Sequence, residues 1–191
     1  MLRVARLLAL ITAILSANCA EPPHKEMNQA QGAIDAARAA GADQYARDEF
    51  AAAEDALKRS HEAVGQRDYR QALNTALDAR ERAQEAAKET VNKKAIARAD
   101  ATQAIADADA ALHDSRAKLR TAETARAPAR ILAAARKAID NGEIAVQEAR
   151  TAFDKGDYLK SIETGRAIAP ALRAAMRDLD GAAAAGGRRR R

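Results

Sequence analysis

The chain of 191 residues is poor in the residues that build β-sheet cores and disulfide frameworks. It has no tryptophan, three tyrosines, two phenylalanines and a single cysteine. Strands favour β-branched and aromatic residues, so this shortage excludes barrels, sandwiches and doubly wound sheets. One cysteine excludes a disulfide scaffold. Alanine is abundant, with 54 residues, and it is the strongest helix former. We therefore predict an all-α protein with a thin core of small side chains.

The excess of positive charge is concentrated at the two ends of the sequence. The formal net charge is +5, from 32 Lys and Arg against 27 Asp and Glu. Arg3, Arg6 and residues 188–191 supply six positive charges, which leaves −1 for the chain between them. A nucleic-acid-binding domain carries a basic stripe on its folded body. The balance therefore argues against specific nucleic-acid binding.

The first residues have the order of a bacterial secretory signal peptide. Arg3 and Arg6 form a charged start, residues 7–17 form an apolar stretch of eleven, and small residues follow. Eleven apolar residues are too few to span a bilayer, which takes about 20. We therefore predict a signal peptide over residues 1–18.

Cys19 resembles the lipidated cysteine of a bacterial lipoprotein. A lipobox usually has leucine three residues before the cysteine and glycine or alanine directly before it, whereas Ser16 and Asn18 hold those places here. Acylation would make residues 19–24 a lipidation site and tether, with the chain bound to the membrane through its N-terminal lipid. Ala20 lacks the aspartate that favours inner-membrane retention, so the resemblance implies the outer membrane. The alternative is ordinary cleavage near Cys19, which releases a soluble secreted protein.

Helical periodicity continues from Lys25 almost to the end of the chain, and Gly41 is expected to end the first helix. It predicts a first helical hairpin with a long third helix over residues 25–127 and a second hairpin over residues 128–180. The third helix has no glycine or proline before Pro128, and it either continues through Asn92 or bends there.

The last helix is expected to end early. Pro170 lies within its periodic pattern and is expected to kink or split it. Residues 181–191 are expected to form a disordered Ala/Gly spacer followed by the arginine tail.

Two segments of the sequence repeat each other at an offset of 89 residues. Asp68-Tyr69 and Asp157-Tyr158 follow helix breaks, and each aspartate is a predicted N-cap. Helix-face residues match at the same offset: Phe50 with Ile139, Ala53 with Gly142, Leu57 with Val146, Ser60 with Ala149, Leu73 with Ile162, and Ala76 with Gly165. We predict an elongated antiparallel helical bundle built from two helix–turn–helix repeats that a long helix joins.

The first copy resembles an alanine-rich helical domain of unknown function in bacterial envelope lipoproteins. The resemblance rests on Gly41-Ala42-Asp43-Gln44-Tyr45-Ala46, on Phe50 and Leu57, and on the turn Asp68-Tyr69. That family usually has proline where this sequence has Arg47. The resemblance implies a lipid-anchored helical domain, and it brings no catalytic residues.

No arrangement of residues in the sequence points to catalysis. His24, His61 and His113 lack the spacing of a zinc site, and no glycine-rich phosphate loop is present. We expect no enzyme activity and no catalytic, metal-binding or cofactor-binding residues. The arginines of the tail are candidates for contact with an anionic surface: Arg188, Arg189, Arg190 and Arg191.

The sequence favours a role through helix contacts. A seam of small residues from Ala101 to Ala122 has one intrachain partner of equal length, the fourth helix. If that packing is incomplete, the seam is free for a partner protein or for self-association. The leading hypothesis is a non-enzymatic cell-envelope lipoprotein with a structural or adaptor role on the periplasmic side. The alternative is a soluble secreted periplasmic helical binding protein.

Overall fold

The computed structural model describes the backbone of residues 21–188 and the side chains of residues 21–181. Within that part of the chain all regular structure is helical, so the prediction of an all-α protein is confirmed. The helices, numbered in chain order, are α1 (His24–Ala40), α2 (Ala42–Tyr45), α3 (Arg47–Gly65), α4 (Tyr69–Thr124), α5 (Ala129–Asp154) and α6 (Tyr158–Arg188).

The helices form two compact units that divide between Val91 and Asn92. Unit 1 contains α1, α2, α3 and the N-terminal part of α4, and unit 2 contains the rest of α4 with α5 and α6. The division falls inside α4, whereas the predicted boundary at residues 127–128 concerns the two helical hairpins. The helix itself continues through Asn92, and the buried Thr90 hydroxyl donates a 2.7 Å hydrogen bond to the carbonyl of Ala86.

Two glycines and two arginines in left-handed conformation lie at the ends of the helices. Gly41 (φ 96°) ends α1, as the sequence predicts. The turns after α3, α4 and α5 contain Arg67 (φ 59°), Arg126 (φ 59°) and Gly156 (φ 78°). In each of these three turns the next amide reaches back to the last helical turn, for example from Asp68 to the carbonyl of Ala63 at 2.9 Å. This is the hydrogen bond of a Schellman motif.

The predicted aspartate caps are confirmed. The Oδ1 atom of Asp68 accepts a hydrogen bond from the amide of Gln71 at 2.9 Å. The Oδ1 atom of Asp157 accepts one from the amide of Lys160 at 3.1 Å. Each cap satisfies one of the amides that have no partner in the first helical turn.

Small side chains fill most of the core of unit 1. Met27, Ile34, Phe50 and Leu57 are the residues larger than alanine in its buried apolar cluster. The α4 face of that cluster consists of Ala76, Ala79, Ala83 and Ala86. A core of this composition removes little apolar area per residue from water, and each Å² contributes about 25 cal/mol.

The seam on α4 is covered in unit 2, so incomplete packing, the condition under which the sequence leaves it free for a partner, is not met among the described residues. Ala108, Leu112 and Ala122 pack in one buried cluster with side chains of both α5 and α6. The members contributed by those two helices are Ala135, Ile139, Val146, Ile168, Leu172, Met176 and Leu179. Because α5 and α6 together cover the seam, it does not need one helix of its own length to bury it.

α6 continues past both places where the sequence predicts a break. Pro170 lies inside the helix without splitting it. Proline has no amide hydrogen to donate to the Arg166 carbonyl, and both Pro170 and Arg166 lie on the exposed side of the helix. Residues 181–188 are also helical and do not form the expected disordered spacer. Alanine, which fills positions 182–185, has the highest helix propensity of any residue type.

Candidate functional site

The site residues proposed from the sequence lie at or beyond the edges of the described chain. The signal peptide (1–18), Cys19 and residues 189–191 lie outside the described residues. Arg188 is the last residue of α6, and its side chain is not described. Any functional site within the described structure therefore consists of other side chains, among residues 21–181.

The three histidines lie apart on exposed helix surfaces. His24 begins α1, His61 lies in α3 and His113 lies in α4, and all three are exposed. The Nδ1 atom of His113 is 3.6 Å from the Oδ1 atom of its exposed neighbour Asp114. Over residues 21–188, no three His, Cys, Asp or Glu side chains converge as metal ligands do.

An ion cluster on the surface of unit 1 joins α3 to α4. Asp78 accepts a 2.9 Å hydrogen bond from the Nε atom of Arg82 and lies 3.8 Å from the Nη2 atom of Arg59. The hydrogen bond from Arg82 to Asp78 raises the pKa of the Arg82 guanidinium above its ordinary value. All three side chains are exposed to a large extent, so the cluster links two helices at the surface.

Two open grooves lie on the surface of unit 2. The first, of about 980 Å³, runs between α4 and α5 and contains the exposed side chain of Ile144. The second, of about 1140 Å³, runs between α4 and α6 beside Pro170. Both contain side chains of each charge, several of them in ion pairs. Ligand sites are concave and mostly apolar, and these open, mixed-charge grooves are the seams between packed helices.

Three ion pairs hold α5 against α4 at intervals of seven residues. The pairs, each with a nitrogen–oxygen distance of 2.6 Å, are Asp109 with Arg150, Arg116 with Glu143, and Glu123 with Arg136. Each step moves seven residues forward along α4 and seven residues back along α5, so the two helices are antiparallel. We call this set the ion-pair ladder.

Two further ion pairs place α6 beside α4 and parallel to it. Asp100 pairs with Arg166 at 3.1 Å, and Lys118 pairs with Asp180 at 2.8 Å. Later residues of α6 therefore meet later residues of α4. The end of α6 lies at the same end of unit 2 as the turn between α4 and α5. We call this end, formed by residues 119–139 and 181–188, the basic tip.

The basic tip carries an excess of exposed positive charge. Residues 119–139 contain five basic side chains and one acidic side chain, Glu123. Glu123 is already paired with Arg136. The other four cations are exposed, and their charged groups have no ion-pair or hydrogen-bond partner within the described part of the chain: Arg120, Arg126, Arg130 and Lys137.

The balance of charge over the whole chain conceals this tip. The described side chains of unit 1 include 10 basic and 14 acidic residues, a net charge of −4. Those of unit 2 include 16 basic and 13 acidic residues, a net charge of +3. The two values nearly cancel. The sequence signal of the tip is the stretch between Glu123 and Asp140, which holds four basic residues and no acidic one.

Residues 25–102 match the profile of a family described as Domain of unknown function (DUF4398). The matched segment covers most of unit 1 and the beginning of unit 2, and it includes the motifs from Gly41 to Tyr69 that carry the resemblance. The prediction of a domain of unknown function is thus confirmed for this segment. No curated protein and no solved structure gives a significant match. No helix among the described residues combines the length and apolar character needed to cross a membrane.

Proposed function

We propose that this protein is a non-enzymatic lipoprotein of the bacterial cell envelope. It has a structural or adaptor role on the periplasmic side of the outer membrane, to which acylated Cys19 anchors it. The basis for the anchor is the sequence order of Arg3, Arg6, the apolar stretch 7–17 and Cys19.

One observation carries the adaptor role: the acidic and basic side chains of the described residues lie outside the buried core. The buried polar residues there are Ser60, Thr90, Ser115 and Ser161, and none of them titrates near neutral pH. Catalytic acids, bases and nucleophiles usually need partly buried, perturbed environments. A core lined by alanine supports a shape and a set of surfaces for other molecules to contact.

We further propose that the bundle consists of two helix–turn–helix repeats, α3–α4 and α5–α6. Matched hydrogen bonds at the turns support the repeat. The amides of Asp68 and Asp157 bond the carbonyls of Ala63 and Ala152, each at 2.9 Å.

The pattern of burial supports the same duplication. Positions 89 residues apart are buried together at Phe50 and Ile139, Leu57 and Val146, Ala83 and Leu172, and Thr90 and Leu179. The side chains differ in size in both directions: Leu172 is larger than Ala83, whereas Ile139 is smaller than Phe50.

The lipid anchor is tested by metabolic labelling with radioactive palmitate in a bacterial host. We expect label on the wild-type chain, sedimentation of that chain with membranes, and loss of both in Cys19→Ser. Because Cys19 is the single cysteine, the variant removes the only thiol. A matched control, Ser16→Leu with Asn18→Gly, brings the sequence to the usual lipobox and is expected to label at least as strongly.

The soluble secreted binding protein is the competing outcome. An unlabelled wild-type chain in the periplasmic fraction, with Ser16→Leu/Asn18→Gly alone labelled, would contradict the lipoprotein proposal. That result would show that the host acylates a proper lipobox and passes over this one.

A further inference from the structure

We propose that the basic tip of unit 2 docks on a phospholipid bilayer surface that carries anionic headgroups. The contact is made by side chains far along the sequence from Cys19, and it does not require acylation. It gives the protein a second, reversible membrane contact besides the proposed anchor.

The arrangement of the tip cations suits a fluid, extended anion. Arg120 lies near the end of α4, Arg126 lies in the turn, and Arg130 and Lys137 lie in α5. They extend from the end of α4 to the third turn of α5, and none of them lines either groove of unit 2, whereas the donors for a single small anion share one pocket. Lipid headgroups move laterally, so they can gather around cations spread in this way.

Apolar side chains between these cations favour a bilayer over a nucleic acid. Ala127, Ile131 and Leu132 are partly buried at the edge of the unit 2 core, and Pro128 beside them is exposed. Basic and apolar side chains together are typical of surfaces that bind the membrane interface. A nucleic-acid duplex instead selects a basic stripe along one helix or face, whereas the tip cations come from the end of α4, from the turn and from α5.

The end of α6 adds to the same charge. Asp180 pairs with Lys118, which lies six residues before the end of α4, and the backbone of α6 continues in the same direction as far as residue 188. Three further arginines, 189–191, follow in the sequence. The net charge of residues 119–139 is +4, and residues 188–191 contribute another +4.

Vesicle sedimentation tests the docking. The protein used is residues 20–191, which retains every described core residue and has neither the leader nor the lipid to hold it on a vesicle. We expect binding to vesicles of phosphatidylcholine and phosphatidylglycerol at 3:1, and at least tenfold weaker binding to pure phosphatidylcholine. Raising the salt from 50 to 500 mM should abolish the binding because the contact is electrostatic.

Two variants with equal charge separate the tip from net charge. Arg126→Gln/Arg130→Gln/Lys137→Gln removes three exposed cations of the tip. Lys58→Gln/Arg70→Gln/Lys88→Gln removes three exposed, unpaired cations from the described surface of unit 1. Each basic residue close to an anionic surface contributes about fivefold to binding. The tip variant should lose about 100-fold in affinity and the control variant no more than about threefold, with circular dichroism spectra unchanged in both.

Four results would overturn the proposal. Equal losses in the two variants would assign the binding to net charge, and no binding of the wild type to anionic vesicles would remove the membrane altogether. Tighter, tip-dependent binding to duplex DNA than to vesicles would identify a nucleic acid as the partner. Truncation after residue 187 gives a fourth check. The truncated chain keeps the cations of residues 119–139 and loses the four terminal arginines, so its vesicle binding should be at least tenfold weaker than that of the untruncated protein. A loss on truncation with none in the tip variant would contradict the assignment to the tip.

Discussion

The hydroxyl of Ser60 donates a 2.7 Å hydrogen bond to the carbonyl oxygen of Ala72, and both residues are fully buried. The bond joins α3 to α4 close to the turn between them. Eighty-nine residues later in the sequence, alanine (Ala149) stands at the position that corresponds to Ser60, and Ser161 stands at the position that corresponds to Ala72. The Oγ atom of Ser161 is buried without a hydrogen-bond partner in the described structure. The serine thus lies on the first helix of the pair at α3–α4 and on the second helix at α5–α6, and only the hydroxyl of Ser60 has a hydrogen-bond partner.

Replacing these two serines by alanine should change stability in opposite directions. We expect Ser60→Ala to lower the free energy of unfolding by about 1 kcal/mol, because the substitution removes a buried hydrogen bond. Ser161→Ala should raise it by up to about 1 kcal/mol, because it removes a buried, unpartnered hydroxyl and introduces a better helix former. Urea denaturation followed by circular dichroism measures both. A loss of similar size in the two variants would show that the volume of the serine side chain decides stability.

Gly165 allows α6 to approach α4 closely. A Cβ atom at position 165 would lie 3.1 Å from the Cβ atom and 3.2 Å from the carbonyl carbon of Ala104. Backbone atoms cannot move aside as a flexible side chain can. We therefore expect Gly165→Ala to destabilise unit 2 by about 1 to 3 kcal/mol, the usual cost of overpacking, even though alanine is the better helix former.

Gly65→Ala is the matched control for this effect. Gly65 is also a helical glycine, but nothing lies within 4 Å of the position that a Cβ atom would take there. The same substitution should therefore stabilise unit 1 by about 0.5 to 1 kcal/mol through helix propensity. Thermal denaturation of the two variants compares them, and a stabilising Gly165→Ala would refute the close approach.

The ion-pair ladder specifies the register of α5 on α4, because its charges alternate along each helix. A slip of seven residues would place Asp109 opposite Glu143 and Arg116 opposite Arg136, which are pairs of like charge. Exposed pairs contribute only about 0.2 to 1 kcal/mol each, and these side chains are about half exposed. The ladder therefore contributes more to the choice of register than to stability.

Reversing one charge of the ladder tests this. Arg116→Glu should lower the free energy of unfolding by about 1 kcal/mol at low salt, because it loses one pair and opposes Glu143 with a like charge. Arg116→Glu/Glu143→Arg should recover most of the loss. Arg120→Glu, at an exposed α4 arginine whose guanidinium has no partner among the described residues, is the control and should change stability by a few tenths of a kcal/mol. A double variant no more stable than Arg116→Glu alone would show that the two side chains do not interact.

Glycine and aspartate residues in the sequence predict the ends of the helices well. The sequence does not predict which helices pack against each other. Gly41, Asp68 and Asp157 act as expected because each satisfies backbone groups within a few residues of itself. The covering of the α4 seam depends also on α6, which begins only at Tyr158. A small-residue face has the same spacing whether its partner is inside or outside the chain. The basic tip is missed for a different reason: the net charges of the two units, −4 and +3, nearly cancel, so the balance over the whole chain hides the basic stretch between Glu123 and Asp140.

Arg67 occupies a left-handed backbone conformation that suits glycine better. Its φ is 59°, and Gly156, 89 residues later and in the corresponding place after α5, has a φ of 78°. A residue other than glycine loses about 1 to 2 kcal/mol in this region. Glycine also has the greater entropy in the unfolded chain, which offsets part of the stability gained when it replaces Arg67.

We expect Arg67→Gly to raise the free energy of unfolding by up to about 1 kcal/mol, and Gly156→Ala to lower it by about 1 kcal/mol. Arg70→Gly, in the first turn of α4, should lower it instead, since glycine is unfavourable inside a helix. Urea denaturation of the three variants separates these outcomes, and a destabilising Arg67→Gly would show that the arginine side chain contributes more to the turn than its backbone strain costs.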